Sequence, residues 1–277
     1  ICKSGGFTKK FLAKFFVIDD SKLDEFQHIA FAYDWKFVKK SSPADLTLLE
    51  ISNVMEQQIF EKLFKFPILQ DEKWPFKPTR ELDMSMDKEL FHQSNVGPKL
   101  YEGKMIHMFT HTFLPPRYWL EKSTVETKLR QKELNRIPVK FKKSNPRFSA
   151  KLHAKEYRLV WRTTANSTDT RSLITTILPP NVYCGHSLNY LTPILFDGTE
   201  YVKTVSNEET IFLCGILNSF VQDFVMKHKT SRTISYFHIN GLPIPRVDES
   251  NNIHKKIINN ASMLICTTDE YANLREE

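Results

Sequence analysis

YRLVWRTTANSTDTRSLITTILPP, residues 157–180, is the stretch from which the fold of this chain is read. EYRLVWRT (156–163) and SLITTIL (172–178) are short apolar runs rich in aromatic and β-branched residues, the composition of strands. Thr168, Asp169 and Arg171 lie between them in a polar turn. Pro179-Pro180 closes the second run, because proline has no N–H to give to a ladder. Side chains alternate along a strand, so Arg158 and Arg162 share one face. A sheet is therefore expected at the centre of the fold.

Beyond Pro180, short β segments run to Val205, and Ser206 with Glu209 forms a capping box. The helix it opens carries Leu213, Leu217, Phe220, Val221, Phe224 and Val225 on one side, a core-facing stripe. It ends in Lys227, His228 and Lys229, which suit the negative end of a helix dipole. Residues 234–239 return to strand character, GLPIP (241–245) is a rigid turn, and a last helix starts near Asn252. Its stripe is Ile253, Ile257, Ala261, Leu264 and Ile265, suited to this core, to another domain or to a second subunit.

On the N-terminal side, Ser123 and Glu126 mark a capping box for a charged helix running to about Arg136, before Pro138. KMIHMFTHTF (104–113) has β character and ends at Pro115-Pro116. Residues 67–99 read as a long connection, with the main boundary near 99. Asn53 and Glu56 cap a helix of Val54, Met55, Ile59, Leu63 and Phe66, stopped by Pro67. Residues 11–19 and ADLTLLEI (44–51) read as strands. No internal repeat or low-complexity tract is present.

At 277 residues, 41% of them hydrophobic, the chain has ample material for a core. No apolar run approaches the roughly 20 residues that span a bilayer. Cys2, Cys184, Cys214 and Cys266 are scattered without a C-x-x-C pair, which fits a reducing cytoplasm better than a disulfide framework. Starting at Ile1 and lacking a signal-peptide apolar core, the chain reads as a piece of a cytoplasmic protein.

Residues 117–171 hold 15 Lys or Arg against 5 Asp or Glu, which leaves the rest of a chain of net charge +7 slightly acidic. Such a block is the footprint of a polyanion partner, or else a solvated basic face without one.

Catalytic motifs are sparse. None of the 8 glycines forms G-x-G-x-x-G or a P-loop. Asn145-Pro146-Arg147-Phe148 departs from N-P-P-[YFW] at its third position and follows Lys140, Lys142 and Lys143, so it reads as a basic loop. Asp71-Glu72-Lys73, with Asp45, matches the D-x-K pattern of a magnesium nuclease, a pattern that a charged linker also produces by chance. Cys184-Gly185-His186 offers two metal ligands without a second pair. His107 and His111 on a strand stand roughly 13 Å apart at about 3.3 Å per residue, too far for one zinc.

Five stretches, in one order and over more than half the chain, carry a family resemblance: residues 42–69 (SPADLTLLEISNVMEQQIFEKLFKFPIL), 80–91 (RELDMSMDKELF), 100–113 (LYEGKMIHMFTHTF), 157–180 and 213–246 (LCGILNSFVQDFVMKHKTSRTISYFHINGLPIPR). Together they resemble the C-terminal TaqI-like specificity domain of type IIG restriction–modification enzymes and adenine-specific DNA methyltransferases. The resemblance implies an α+β fold: a mixed-sheet target-recognition domain with flanking helices, preceded by a smaller α/β connector. Residues 1–99 are then the connector and the end of a methyltransferase domain, 100–246 the recognition domain, and 247–277 a C-terminal helix.

It also implies a chain that reads double-stranded DNA beside a methyltransferase domain of the same protein and is not itself an enzyme. S-adenosylmethionine belongs to that absent domain, and magnesium to the parent only if the parent is also a nuclease; no cofactor, catalytic residue or membrane is expected for this chain. The residues expected on DNA are Lys104; Lys140, Lys142, Lys143 and Arg147 on phosphates; Arg158, Arg162 and Arg171 on strand and turn; and Lys227, Lys229, Ser231, Arg232 and Tyr236 past a helix end. Arg158 and Arg162 also suit salt bridges on a sheet face, and Arg171 also suits a structural fork tying its turn down.

Overall fold

The computed structural model describes residues 9–15, 19, 21, 30–43, 46–166, 168–230, 232–248 and 250–276. β1 (Lys10–Ala13) and β2 (Phe31–Asp34) form an antiparallel pair, followed by α1 (Trp35–Ser41) and α2 (Val54–Leu63). The short strands β3 (Pro78–Thr79), β4 (Phe91–His92), β5 (Lys99–Tyr101) and β6 (Tyr118–Leu120) precede α3 (Lys122–Arg136) and α4 (Val139–Ser144). Then come β7 (Arg158–Arg162), β8 (Thr175–Leu178), β9 (Tyr183–Cys184), β10 (Leu188–Leu191), β11 (Ile194–Phe196) and β12 (Tyr201–Lys203). The remainder is helical: α5 (Asn207–Leu217), α6 (Phe220–Lys227), α7 (Tyr236–Asn240), α8 (Asn252–Ile265) and α9 (Ala272–Glu276). The fold is α+β.

The apolar runs at 156–163 and 172–178 contain β7 and β8, paired antiparallel in a four-stranded sheet of order β3-β10-β7-β8. Alternation along β7 sends Leu159 and Trp161 into the largest apolar cluster and Val160 into a second one with Tyr101, Ile106 and Tyr190. Both faces are therefore covered, and Arg158 and Arg162, which share the face of Val160, are buried and half-buried there. A second sheet, β4-β6-β5-β9, is mixed: β5 pairs antiparallel with β6 and parallel with β9.

The largest cluster does not follow the expected boundaries. Phe31, Tyr33, Phe60, Phe64, Trp74 and Phe76 share it with Trp161, with Phe212 and Leu213 of α5, and with Ile258, Ala261 and Tyr271 near the C-terminus. β3, at the far side of residue 99, is hydrogen-bonded to β10.

Several elements differ from expectation. The apolar helix after Ser206 is two helices bent by 64°. Ser206 and Glu209 do form the capping box of α5, but Asn218 and Ser219 interrupt the helix, and the Ser219 side chain caps α6 at Gln222 N. Asn218 turns inward to the edge of β8: Thr175 N donates to its Oδ1 at 3.1 Å, and its Nδ2 donates to Thr175 O at 3.0 Å. Phe109 N also donates to Thr175 O, and the Tyr271 hydroxyl donates to Ile177 O. The bend leaves Phe220 83% exposed and Val221 exposed, so neither belongs to the core stripe.

Residues 104–113 do not form a strand. A 3₁₀ turn at Gly103–Met105 is followed by a tight loop with a His107–Thr110 bridge. Residues 234–239 are not a strand either, because Tyr236–Asn240 is helical. In α3 the cap is Glu121, whose carboxylate accepts from Ser123 N and Thr124 N; Glu126 instead pairs with Lys155. Residues 46–51 are without strand structure, and the first expected strand covers only Lys10–Ala13 among the described residues. In α8, Ile258, Ala261 and Ile265 are buried, whereas Ile253 and Leu264 face outward.

Candidate nucleic-acid interface

Pairing divides the basic block into two parts. Along α3, Lys128 meets Asp87 at 2.5 Å, Arg136 meets Glu133 at 2.6 Å, and Lys132 donates to the carbonyls of Arg80 and Glu81. Arg117 reaches Glu102 at 2.9 Å, and Lys155 reaches Glu126 at 2.6 Å. Most cations of that helix are thus held by protein partners, Lys122 at its start being the exception among the described residues.

α4 and the loop behind it differ. Lys140, Lys143 and Arg147 are exposed, and among the described residues no ion pair or hydrogen bond holds their charged groups. Lys142 is the exception, its Nζ donating to Leu134 O at 2.9 Å and closing the end of α3. The lobe is fixed from beneath by rings: Phe141 lies 4.8 Å from Phe196, and Phe148 stacks on Tyr201 at 6.0 Å between centroids. A basic helix held by an aromatic underside presents charge on a rigid support.

Two further exposed lysines extend the lobe and were missed in the sequence. Lys151 follows on the same loop, with its amide near the Tyr201 hydroxyl. Lys203 stands two residues along β12 from Tyr201, on the same side of the ribbon. Lys151 lay within the basic block; for Lys203, the alternation of β12 was the available signal.

Most of the other expected contacts are structural. Arg158 is fully buried, its Nη1 2.7 Å from Glu81 Oε2, its Nη2 bonded to Val182 O, and its guanidinium 5.1 Å from the Tyr190 ring centroid. Arg162 donates to Ile106 O beside the Phe113 ring. Arg171 is the fork: it donates to Asn218 O and lies 4.6 Å from the Phe220 centroid. Lys227 ties the same turn through Asp169 O at 2.7 Å, and Lys229 donates to Ser41 O. Tyr236 donates to Asn189 Oδ1 at 3.0 Å. Each of these polar ends has a protein partner, and Arg158, expected on DNA, is wholly enclosed in the core.

Lys104 is half exposed, 3.7 Å from Glu102. Arg232 is exposed without a side-chain partner among the described residues, whereas Ser231 lies outside them.

The alternative chemistries do not assemble. Asp71 accepts from Arg246 Nη2 at 2.5 Å and from the amides of Lys73 and Trp74. Burial acts to raise its pKa, but these donors outweigh it and hold the carboxyl below its ordinary range. The D-x-K pattern is thus a turn cap, and Asp45 lies outside the described residues. Cys184 is buried, its thiol pushed up to about 12, while His186 is exposed. His111 is not a strand residue at all: its ring is buried, 2.8 Å from Glu270 and 2.9 Å from the Tyr271 hydroxyl. Among the described residues no group of three His, Cys, Asp or Glu is placed to hold a metal ion.

No protein-family model matches the sequence, and no curated protein matches it. Among the described residues, no single helix is long and apolar enough to cross a membrane.

Proposed function

We propose that the chain is the DNA-recognition part of a bacterial adenine-N6 DNA methyltransferase or type IIG restriction–modification enzyme, acting in the cytoplasm. In this reading, catalysis and S-adenosylmethionine belong to a separate methyltransferase domain of the same protein, and this chain carries no catalytic residue. The observation that carries the reading is the lobe of Lys140, Lys143 and Arg147, exposed and unpaired among the described residues while most cations of α3 beside it are engaged by protein partners. Unpaired cations on a fixed helix and loop suit phosphates, which position a duplex without specifying sequence. Arg232, on another surface segment, is likewise exposed without a side-chain partner among the described residues and suits a base edge.

Each phosphate neutralised contributes roughly 0.9 to the slope of log affinity against log salt. Replacing Lys140, Lys143 and Arg147 together by Glu is expected to abolish most duplex binding at low salt. Single replacements by Gln are each expected to reduce the salt slope by about one. A salt-titrated binding assay with unchanged affinity and slope in the triple variant would sink the proposal and favour a protein-interaction surface.

A further inference from the structure

Between α3, the start of α4 and the β11–β12 ribbon lies an open cleft of about 490 Å³. It stands beside the basic lobe but is lined by other residues. Small-molecule sites have volumes of about 300–1,000 Å³. The cleft combines three kinds of group.

The first is positive charge. Lys77 is exposed, its Nζ without a partner among the described residues. Arg136 gives Nη1 to Glu133 Oε1 at 2.6 Å, and its side chain remains 45% exposed with further N–H groups to offer. Asp197 at the rim is engaged by its own turn, accepting from Thr199 and Glu200.

The second is aromatic surface from Phe196 and Tyr201, whose orientation is set by the cluster with Phe141 and Phe148.

The third is buried polarity. The Tyr201 hydroxyl is buried without a hydrogen-bond partner among the described residues; the Lys151 amide approaches it without reaching bonding geometry. The Glu133 carboxyl, pushed above its usual range by burial, has its second oxygen 4.0 Å from His153 Nε2. A buried hydroxyl left unsatisfied costs roughly 1–3 kcal/mol, which a polar ligand edge would relieve.

Cations for a phosphate, rings for a planar heterocycle, and a carboxyl and hydroxyl for its polar edge define one ligand class. We propose that this cleft binds a nucleoside monophosphate unit, with its phosphate on Lys77 and Arg136 and its base against Phe196 and Tyr201. A free mononucleotide and an unpaired nucleotide within a strand present the same chemistry. The site does not depend on duplex binding by the lobe.

The test is titration of the full chain with the four deoxynucleoside 5′-monophosphates by calorimetry, with deoxyadenosine and inorganic phosphate as controls. At least one nucleotide is expected to bind saturably and more tightly than either control. Lys77→Gln, a surface change that leaves the fold intact, and Arg136→Gln are each expected to weaken it about tenfold, the scale of one lost charge-assisted contact. Arg147→Gln, which alters the lobe alone, is expected to leave nucleotide affinity unchanged. No saturable binding by any of the four at low millimolar concentration, or full affinity in Lys77→Gln, overturns the proposal whatever the chain does with a duplex. Once binding is seen, displacement of the nucleotide by an oligonucleotide containing one mismatched position identifies the strand as the source. Retention identifies the free nucleotide, and both outcomes sustain the site.

Discussion

His153 shows what a single buried titratable group does to this fold. Its ring lies 3.1 Å from the Tyr190 hydroxyl, and burial, with Arg158 and Arg136 nearby, pushes its pKa down to about 3 from 6.5. The folded chain therefore keeps it neutral where the unfolded chain would protonate it. Stability is fully present above the unfolded value and falls as pH drops from 6.5 toward 3. Where only the unfolded state is protonated, the slope is about 1.4 kcal/mol per pH unit. Urea unfolding between pH 7 and pH 4 should show a shallower loss in His153→Gln than in the unaltered chain, by about one proton; parallel curves would contradict it. Arg158 illustrates the same physics with opposite charge logic. In sequence it resembles Arg147, but a fully buried guanidinium persists only with a partner, and Glu81, far away in the chain, supplies it. No count of charges along residues 117–171 distinguishes those two arginines, which is why both were expected on DNA although Arg158 is held in the core.

Elements were legible where their signals were local. Asn53 and Ser206 announced their helices because a cap acts within four residues, and both side chains accept the expected amide. β7 and β8 were legible for the same reason. The break at Asn218 was not, since apolar periodicity continues across it while the actual determinant is the bond to Thr175 on another element. The loop at 104–113 was misread because its apolar residues are needed by the cluster of Met105 and Ile106, not by a ladder. At Gly215 the packing between α5 and α8 leaves no room for a side chain: a Cβ there would meet Ile257 Cγ2 at 2.9 Å and Ala261 Cβ at 3.3 Å. Overpacking of this kind costs roughly 1–3 kcal/mol, more for a branched side chain. Gly215→Val should lower the denaturant midpoint accordingly without changing the slope of the transition, and a midpoint equal to that of the unaltered chain would refute the close contact.

For the molecule as a whole, one cluster draws on residues from Phe31 to Leu274. Its cooperativity should therefore extend beyond the segment 100–246 that sequence reasoning isolated. Deleting residues 252–277 removes Ile258, Ala261, Ile265, Tyr271 and Leu274 from the core. The truncated chain is expected to lose its near-UV signal and cooperative heat absorption. A sharp transition within a few degrees of the full chain would show the terminal helices to be an appendage. The central sheet has a consequence of another kind. Its β8 edge is occupied by the Asn218 amide, the Phe109 N–H and the Tyr271 hydroxyl, and its opposite edge is a two-residue strand beginning with Pro78, which has no N–H to offer. An edge with its polar groups engaged is a poor template for a strand from another chain. The sheet is thus closed to extension at both ends. Crowding many copies together should therefore not extend this sheet into a ladder shared between chains.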